Sequence, residues 1–269
     1  ALDKLDSHSP SSYGILGSIE ELEHISPKNL ADAYQDLIES SCDIYVIGDL
    51  DMDLVANIIF KYFKNPVVKT KELPSLYVDN KTKSRVRNIK ESSHFLETNL
   101  VQIYSLENLN EKERITTLHF YNYLLGGGGL NTKLYQLLRE KNSLCYGVKS
   151  RYLKYDNLLI IQTSIDKENV KKAQKLIRQA FLEMKMGKFS EEELQYAKES
   201  FIFSLNLSLD NQAGILNNYI FHELDHLPFI EERIEMIDDI TKEEIVAISN
   251  KIKPNISFVL EGEENHGTN

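Results

Sequence analysis

Apolar residues recur at three- and four-residue spacing through most of this chain, interrupted by short stretches where apolar and polar residues alternate. Ser26-Pro27 opens a helix running to about Ser40, with proline at the first helical position, where its missing N–H costs nothing. A strand from Cys42 to Ile47 and a helix from Met52 to Phe63 follow. Strands are expected near 82–90 and 95–104, then a helix over 110–125 with Ile115, Leu118, Asn122 and Leu125 on one face. A second helix spans 130–141 and stacks Leu134, Leu137 and Leu138. The next strand places Leu144, Tyr146, Val148 and Tyr152 at even spacing, so strands 144–154 and 158–166 form a hairpin turned at Asp156-Asn157. A helix covers 167–186. Another starts at Ser190, whose hydroxyl and Glu193 make a capping box, and a last one starts at Thr241 with Glu244 in the same arrangement. The strand 256–261 closes the sheet. Strands and helices segregated in this way predict an α+β two-layer sandwich, a mostly antiparallel sheet backed by helices on one face.

One pattern occurs twice. Ile19 to Pro27 reads against Ile234 to Lys242: an acidic turn, then a hydroxyl N-cap, an amphipathic helix, and a strand ending in glycine and acid (IYVIGD at 44–49, FVLEGE at 258–263). Repetition at this length is a duplicated domain rather than a solenoid. Residues 64–80, with Pro66 and Pro74 and little periodicity, connect the copies. The expected organisation is therefore the end of a truncated first copy (1–72), a linker (73–84) and a second copy (85–265). The missing initial methionine fits a fragment.

With 269 residues, 42% apolar and 27% charged, the chain can bury a core. A net charge of −10 argues against binding nucleic-acid backbones, which usually calls for a basic face. Lys171, Lys172, Lys175 and Arg178 are the solvated side of a helix whose other side is Val170, Ala173, Ile177, Ala180, Phe181 and Met184. No stretch approaches 18 uninterrupted apolar residues, so no membrane partner is expected, and the composition fits a cytoplasmic protein. Cys42 and Cys145 sit within expected strands and read as buried free thiols.

Gly126, Gly127, Gly128 and Gly129 stand between two apolar helical patterns, and four glycines cost too much backbone entropy to be filler. Either a sharp turn or close approach of another chain requires bare backbone there. The run lacks the Gly-Lys-Ser/Thr ending of a P-loop and the third glycine of a dinucleotide fingerprint. Arg139 falls in the last turn of the following helix and Tyr146 near the start of the next strand, close enough to share one surface. Taken singly, Arg139 would be a cation at a helix C-terminus and Tyr146 ordinary sheet packing.

Taken together, LLGGGGLNTKLYQLLREKNSLCY at 124–146 resembles the second homologous domain of the insulinase/pitrilysin-like peptidases, the zinc peptidases with an inverted motif. The resemblance extends from about Tyr13 to Gly262, and the closest match is to bacterial proteins encoded as pairs, one with a zinc motif and one without. It implies that two domains face each other across a chamber, the first supplying zinc and base and the second an arginine and a tyrosine that hold the substrate backbone. Those roles fall on Arg139 and Tyr146, whose several fixed N–H donors and single phenolic donor suit a peptide carbonyl or an oxyanion forming on it. An extended substrate would add as a strand at a sheet edge. The resemblance further implies a facing zinc-bearing domain or partner subunit, in a homo- or heterodimer, with zinc carried outside this chain. H-x-x-E-H is absent from these residues, so the chain alone is not expected to hydrolyse peptides.

A rival signal lies in His222-Glu223-Leu224-Asp225-His226, which matches the H-E-x-x-H pattern of a self-contained zinc peptidase. Pro228 would stop the helix that should carry both ligands. A third ligand is open among Glu231, Glu235 and Glu243. His8, His24, His94, His119 and His266 show no ligand spacing. Two functions of different class thus stand: a peptide-holding module working with a zinc site elsewhere, or an independent metallopeptidase.

Overall fold

The computed structural model describes residues 1–6, 12, 17–40, 42–63, 78, 85–94 and 96–263. The expected linker 73–84 lies outside the described residues apart from Val78, as do residues 64–72, the start of the strand expected at 82–90, residues 264–265, His8 and His266. Three helices come first: α1 (Ile19–Glu23), α2 (Pro27–Glu39) and α3 (Met52–Tyr62). Ser26 caps α2 reciprocally with Asn29, and Asp51 caps α3 through the Asp53 and Leu54 amides. Residues 42–47, expected as a strand, pair with no strand among the described residues, and Ile44 and Val46 stay exposed. An alternating pattern specifies a strand only where a neighbour completes the hydrogen-bond ladder, and none of the described residues does so here. For the same reason Cys42 is exposed rather than buried, whereas Cys145 is buried.

The remaining residues build one five-stranded sheet in the order β1-β5-β2-β4-β3, from β1 (Arg87–Ser92), β2 (Thr98–Leu106), β3 (Val148–Leu153), β4 (Leu158–Ile165) and β5 (Ile252–Glu261). All pairings are antiparallel except β1 with β5, so the sheet is mixed. The last strand starts four residues earlier than its pattern suggests and lies inside the sheet instead of closing it. Pro254 explains the misreading, since a residue without an N–H normally avoids a central strand. Here the ladder steps from Ile103–Ile256 to Tyr104–Pro254, leaving Asn255 as the extra residue of a bulge. Asn255 is fully buried and donates from Nδ2 to Ser105 Oγ at 2.8 Å.

Two apolar layers form on the two faces of the sheet. Leu100, Tyr104, Leu159, Ile161 and Val259 join the helices in the main core, whereas Ile103, Leu158, Ile160, Ile256 and Phe258 make a smaller one on the opposite face. Leu2 and Leu5 pack against the smaller core, where Arg87 Nη2 donates to the Lys4 carbonyl. The helical layer holds α4, built from Glu113–Thr117, Leu118–Asn122 and Tyr123–Gly127, and α5, built from Lys133–Tyr135 and Gln136–Glu140. It continues with α6 (Val170–Lys185), α7 (Glu191–Ser208), α8 (Gln212–Asp225), α9 (Ile230–Asp238) and α10 (Lys242–Asn250). Ser190 and Thr241 close the capping boxes read from the sequence. Ser26 and Thr241 both start capped helices, α2 and α10, whereas the strand expected after α2 has no pairing among the described residues.

Three of the four consecutive glycines answer to contacts within the chain. A Cβ at Gly126 would lie 2.8 Å from Leu134 Cδ1 and 3.0 Å from Ser150 Oγ; at Gly127 it would meet the Asn122 side chain, and at Gly128 the Tyr123 ring. Gly129 instead turns the chain, with φ at +88°. The close approach is thus to the protein's own side chains. α4 ends in a widened π turn that runs into the glycines, and α5 ends in another at its far end, just before the reversal that follows it. Gly126→Ala is expected to destabilise the fold by about 1–3 kcal/mol through overpacking. Urea unfolding should show a lower midpoint with an unchanged slope.

Candidate functional site

Arg139 and Tyr146 come together because of how α5 ends. The Ser143 amide donates to the Arg139 carbonyl and the Leu144 amide to the Leu138 carbonyl, both at 2.9 Å, while Ser143 turns left-handed with φ of 50°. Leu138 and Leu144 are both buried, which fixes the reversal. Arg139 Nη1 then donates to the Cys145 carbonyl at 3.3 Å, and its Cζ stands 5.4 Å from the centre of the Tyr146 ring, within cation–π range. Tyr146 is 87% exposed, because the strand begins only at Val148 and not at Leu144 as its spacing suggests. Arg139 is half-buried, and among the described residues no carboxylate pairs with it. The pair thus offers guanidinium N–H groups and a phenol at the head of β3, which among the described strands pairs only with β4.

A second polar group lies at the other end of β3. Lys154 Nζ pairs with Asp225 at 3.1 Å with both side chains nearly buried, and the Tyr155 hydroxyl donates to the same carboxylate at 2.7 Å. His119 on α4 stands edge-on to Tyr152, ring centres 5.0 Å apart. Its imidazole is enclosed by protein and open only to a cavity, so burial pushes its pKa from 6.5 down to about 4, with the Arg233 and Lys154 charges acting in the same direction. Burial likewise lowers the pKa of Arg233.

The residues of the H-E-x-x-H pattern do not assemble a zinc site. α8 ends at Asp225, and His226 adopts a left-handed conformation with φ of 52° just before Pro228. His222 Nδ1 lies 2.9 Å from the Leu227 carbonyl, and its ring stacks on Phe229 at 3.9 Å. Among the described residues no group of three His, Cys, Asp or Glu side chains could hold a metal ion, so Glu231, Glu235 and Glu243 supply no third ligand. A zinc site needs at least three protein donors, and this arrangement does not supply them.

A family model described as the peptidase M16 inactive domain matches residues 24–201, more than half of the chain. The chain belongs to the M16 inactive-domain family. This is the insulinase-type family that the glycine run resembles. The M16 inactive domain is 26% identical over 267 residues to a Bacillus subtilis (strain 168) protein described as "Probable inactive metalloprotease YmfF", covering 98% of this chain and 62% of that protein. Its fold is shared by a conserved protein from Enterococcus faecalis V583, with a TM-score of 0.85 at 23% identity, covering 98% of this chain and 62% of that one. A peptidase M16 inactive domain from Pseudomonas fluorescens matches with a TM-score of 0.71 at 20% identity, over 97% of this chain and 64% of that one. At these identities the structures establish the fold alone. The chain therefore spans about 62% of the length of its first relatives. No helix among the described residues is long and apolar enough to cross a membrane.

Reading the sequence found the Arg139–Tyr146 pair but missed the group around His119. One sign of it was present. Ile230, Arg233, Ile234 and Ile237 share a helical face, so Arg233 stands where an apolar residue belongs. Folded His119 takes up its proton near pH 4, whereas an unfolded one does so near 6.5. Between those values the unfolded chain binds the extra proton, so stability falls as pH drops through this window, by up to about 3 kcal/mol. Urea unfolding at pH 7 and pH 4.5 should show His119→Gln losing less stability than the unaltered protein.

Proposed function

We propose that this M16 inactive domain is the substrate-binding C-terminal half of an insulinase-like zinc peptidase, or of that enzyme's non-catalytic partner subunit, and holds an extended peptide for hydrolysis at a zinc site outside the chain. The observation that carries the reading is the stacked Arg139–Tyr146 pair at the head of the edge strand β3. Arg139 donates to a substrate carbonyl through the N–H groups not engaged by Cys145. Tyr146 adds one hydroxyl donor, and β3 offers unpaired backbone for strand addition. The B. subtilis relative described as inactive favours the partner-subunit form. The unpaired, exposed segment 42–47 and the relatives' greater length support a first copy completed by residues outside this chain, with the zinc-bearing domain facing this one in a homo- or heterodimer. A cytoplasmic location belongs to the same reading.

Arg139→Ala should change folding stability by no more than about 1 kcal/mol, the value of one hydrogen bond. Peptide binding, or activity of the enzyme reconstituted with its zinc-bearing half, should weaken by about 1.5–3 kcal/mol. Tyr146→Phe keeps the ring that stacks on Arg139 and should lower binding while leaving stability unchanged. If both variants bind peptide normally, the pair does not hold substrate.

On this reading the chain by itself carries no stoichiometric zinc. Elemental analysis of the purified protein should give far less than one zinc per chain, with no change in His222→Ala. A full equivalent lost in that variant would instead identify the independent metallopeptidase.

A further inference from the structure

The cavity beside His119 has a volume of about 550 Å3, within the range of roughly 300–1,000 Å3 that small-ligand sites occupy. Its apolar walls include Leu205, Phe221, Leu227 and Ile230. The charges that line it are not equivalent. Lys154 and Asp225 neutralise each other at 3.1 Å, and the Tyr155 hydroxyl completes that carboxylate. Asp156 at the hairpin turn has interactions of its own. Arg233 has neither an ion pair nor a hydrogen bond among the described residues, although it is half-buried and lines the cavity. A guanidinium partly withdrawn from water without a partner is costly, and a carboxylate can satisfy it through two parallel hydrogen bonds. The same cavity contains a complementary vacancy of the opposite sense, because buried Asn218 Oδ1 has no donor. An acceptor without a donor and a donor without an acceptor in one cavity match an N-acylated amino-acid terminus, which carries an N–H one bond from the carbon bearing its carboxylate.

We propose that this cavity binds the C-terminal carboxylate of an acylated or peptide-linked apolar residue: the carboxylate on Arg233, its N–H on Asn218 Oδ1 and its side chain against the apolar walls. A phosphate dianion fits less well, since there is one uncompensated cation and the carboxylates of Asp156 and Asp225 line the same space. A free amino acid fits less well too, because its ammonium group would bring a second charge where one neutral acceptor waits. The site is independent of the proposed peptide clamp. Tyr146 and Lys154 flank opposite ends of β3, whose six residues span about 20 Å.

The test is calorimetric titration of the full chain with N-acetyl-leucine, its uncharged amide N-acetyl-leucinamide, and free leucine. N-acetyl-leucine should bind, with the amide and free leucine each weaker by at least roughly tenfold, and Arg233→Gln should weaken it by roughly ten- to a hundredfold. Arg139→Ala should leave this binding unchanged, which separates failure here from failure of the clamp. Equal affinity for acid and amide, no binding at millimolar acid, or full binding by folded Arg233→Gln would each overturn the assignment. Preference for free leucine would overturn it in favour of an amino-acid site. If Arg233→Gln does not fold, the acid–amide comparison on the unaltered protein still decides.

Discussion

The close packing of Gly126 against Leu134 and Ser150 ties together the three elements on which the candidate clamp depends. Without a side chain at that position, the end of α4 can settle onto β3 while α5 folds back across both. Ser150 Oγ donates to the Asn122 carbonyl at 3.1 Å, so the strand holds the end of α4 through a hydrogen bond as well as by packing. The end of α5 is then fixed relative to the start of β3, and Arg139 reaches Cys145 and Tyr146 with little freedom left. Pre-organisation of this kind lets donors act on a substrate without first having to be ordered.

A comparable node stands at the far end of the hairpin. Asn157 is buried and left-handed, with φ of 49°. Its carbonyl accepts from the Leu106 amide, its Oδ1 accepts from Arg114, and its Nδ2 donates to the Val78 carbonyl. One residue therefore joins β2, α4, the turn and Val78. The neighbouring Lys154–Asp225 pair ties the same turn to α8 and forms one wall of the cavity. Both ends of β3 are held by polar contacts while its middle is held by core packing.

What was legible in the sequence divides along the range of the interactions involved. The capping boxes at Ser190 and Thr241 and the helix start at Ser26-Pro27 depend on residues within one turn, and the structure has helices starting where they indicate. The turn at Gly126–Gly129 and the meeting of Arg139 with Tyr146 are also local, spanning one helix and one reversal. The errors are long-range. Residues 42–47 have the pattern of a strand but no pairing partner among the described residues, and β5 is central although Pro254 argues otherwise until the bulge is seen. Tyr146 falls outside the strand because the closure of α5 uses the residues just before it. The cavity draws on α4, α7, α8, α9 and the hairpin, and no spacing within one segment encodes such a convergence.

The open edge of the sheet also bears on how this protein behaves at high concentration. Among the described residues nothing pairs with the outer side of β3, and such an edge invites pairing with the same edge of another molecule. Its outward residues are Lys149 and Arg151, both exposed, whereas the inward ones are Val148, Ser150 and Tyr152. Two like charges on so short a strand would face their copies across an antiparallel pair of such edges, and like charges directly opposite repel. An incoming segment that is neutral or acidic meets no such repulsion. The edge therefore selects against its own kind while remaining open to others, and salt, by screening those two cations, would loosen that selection before it disturbed the fold.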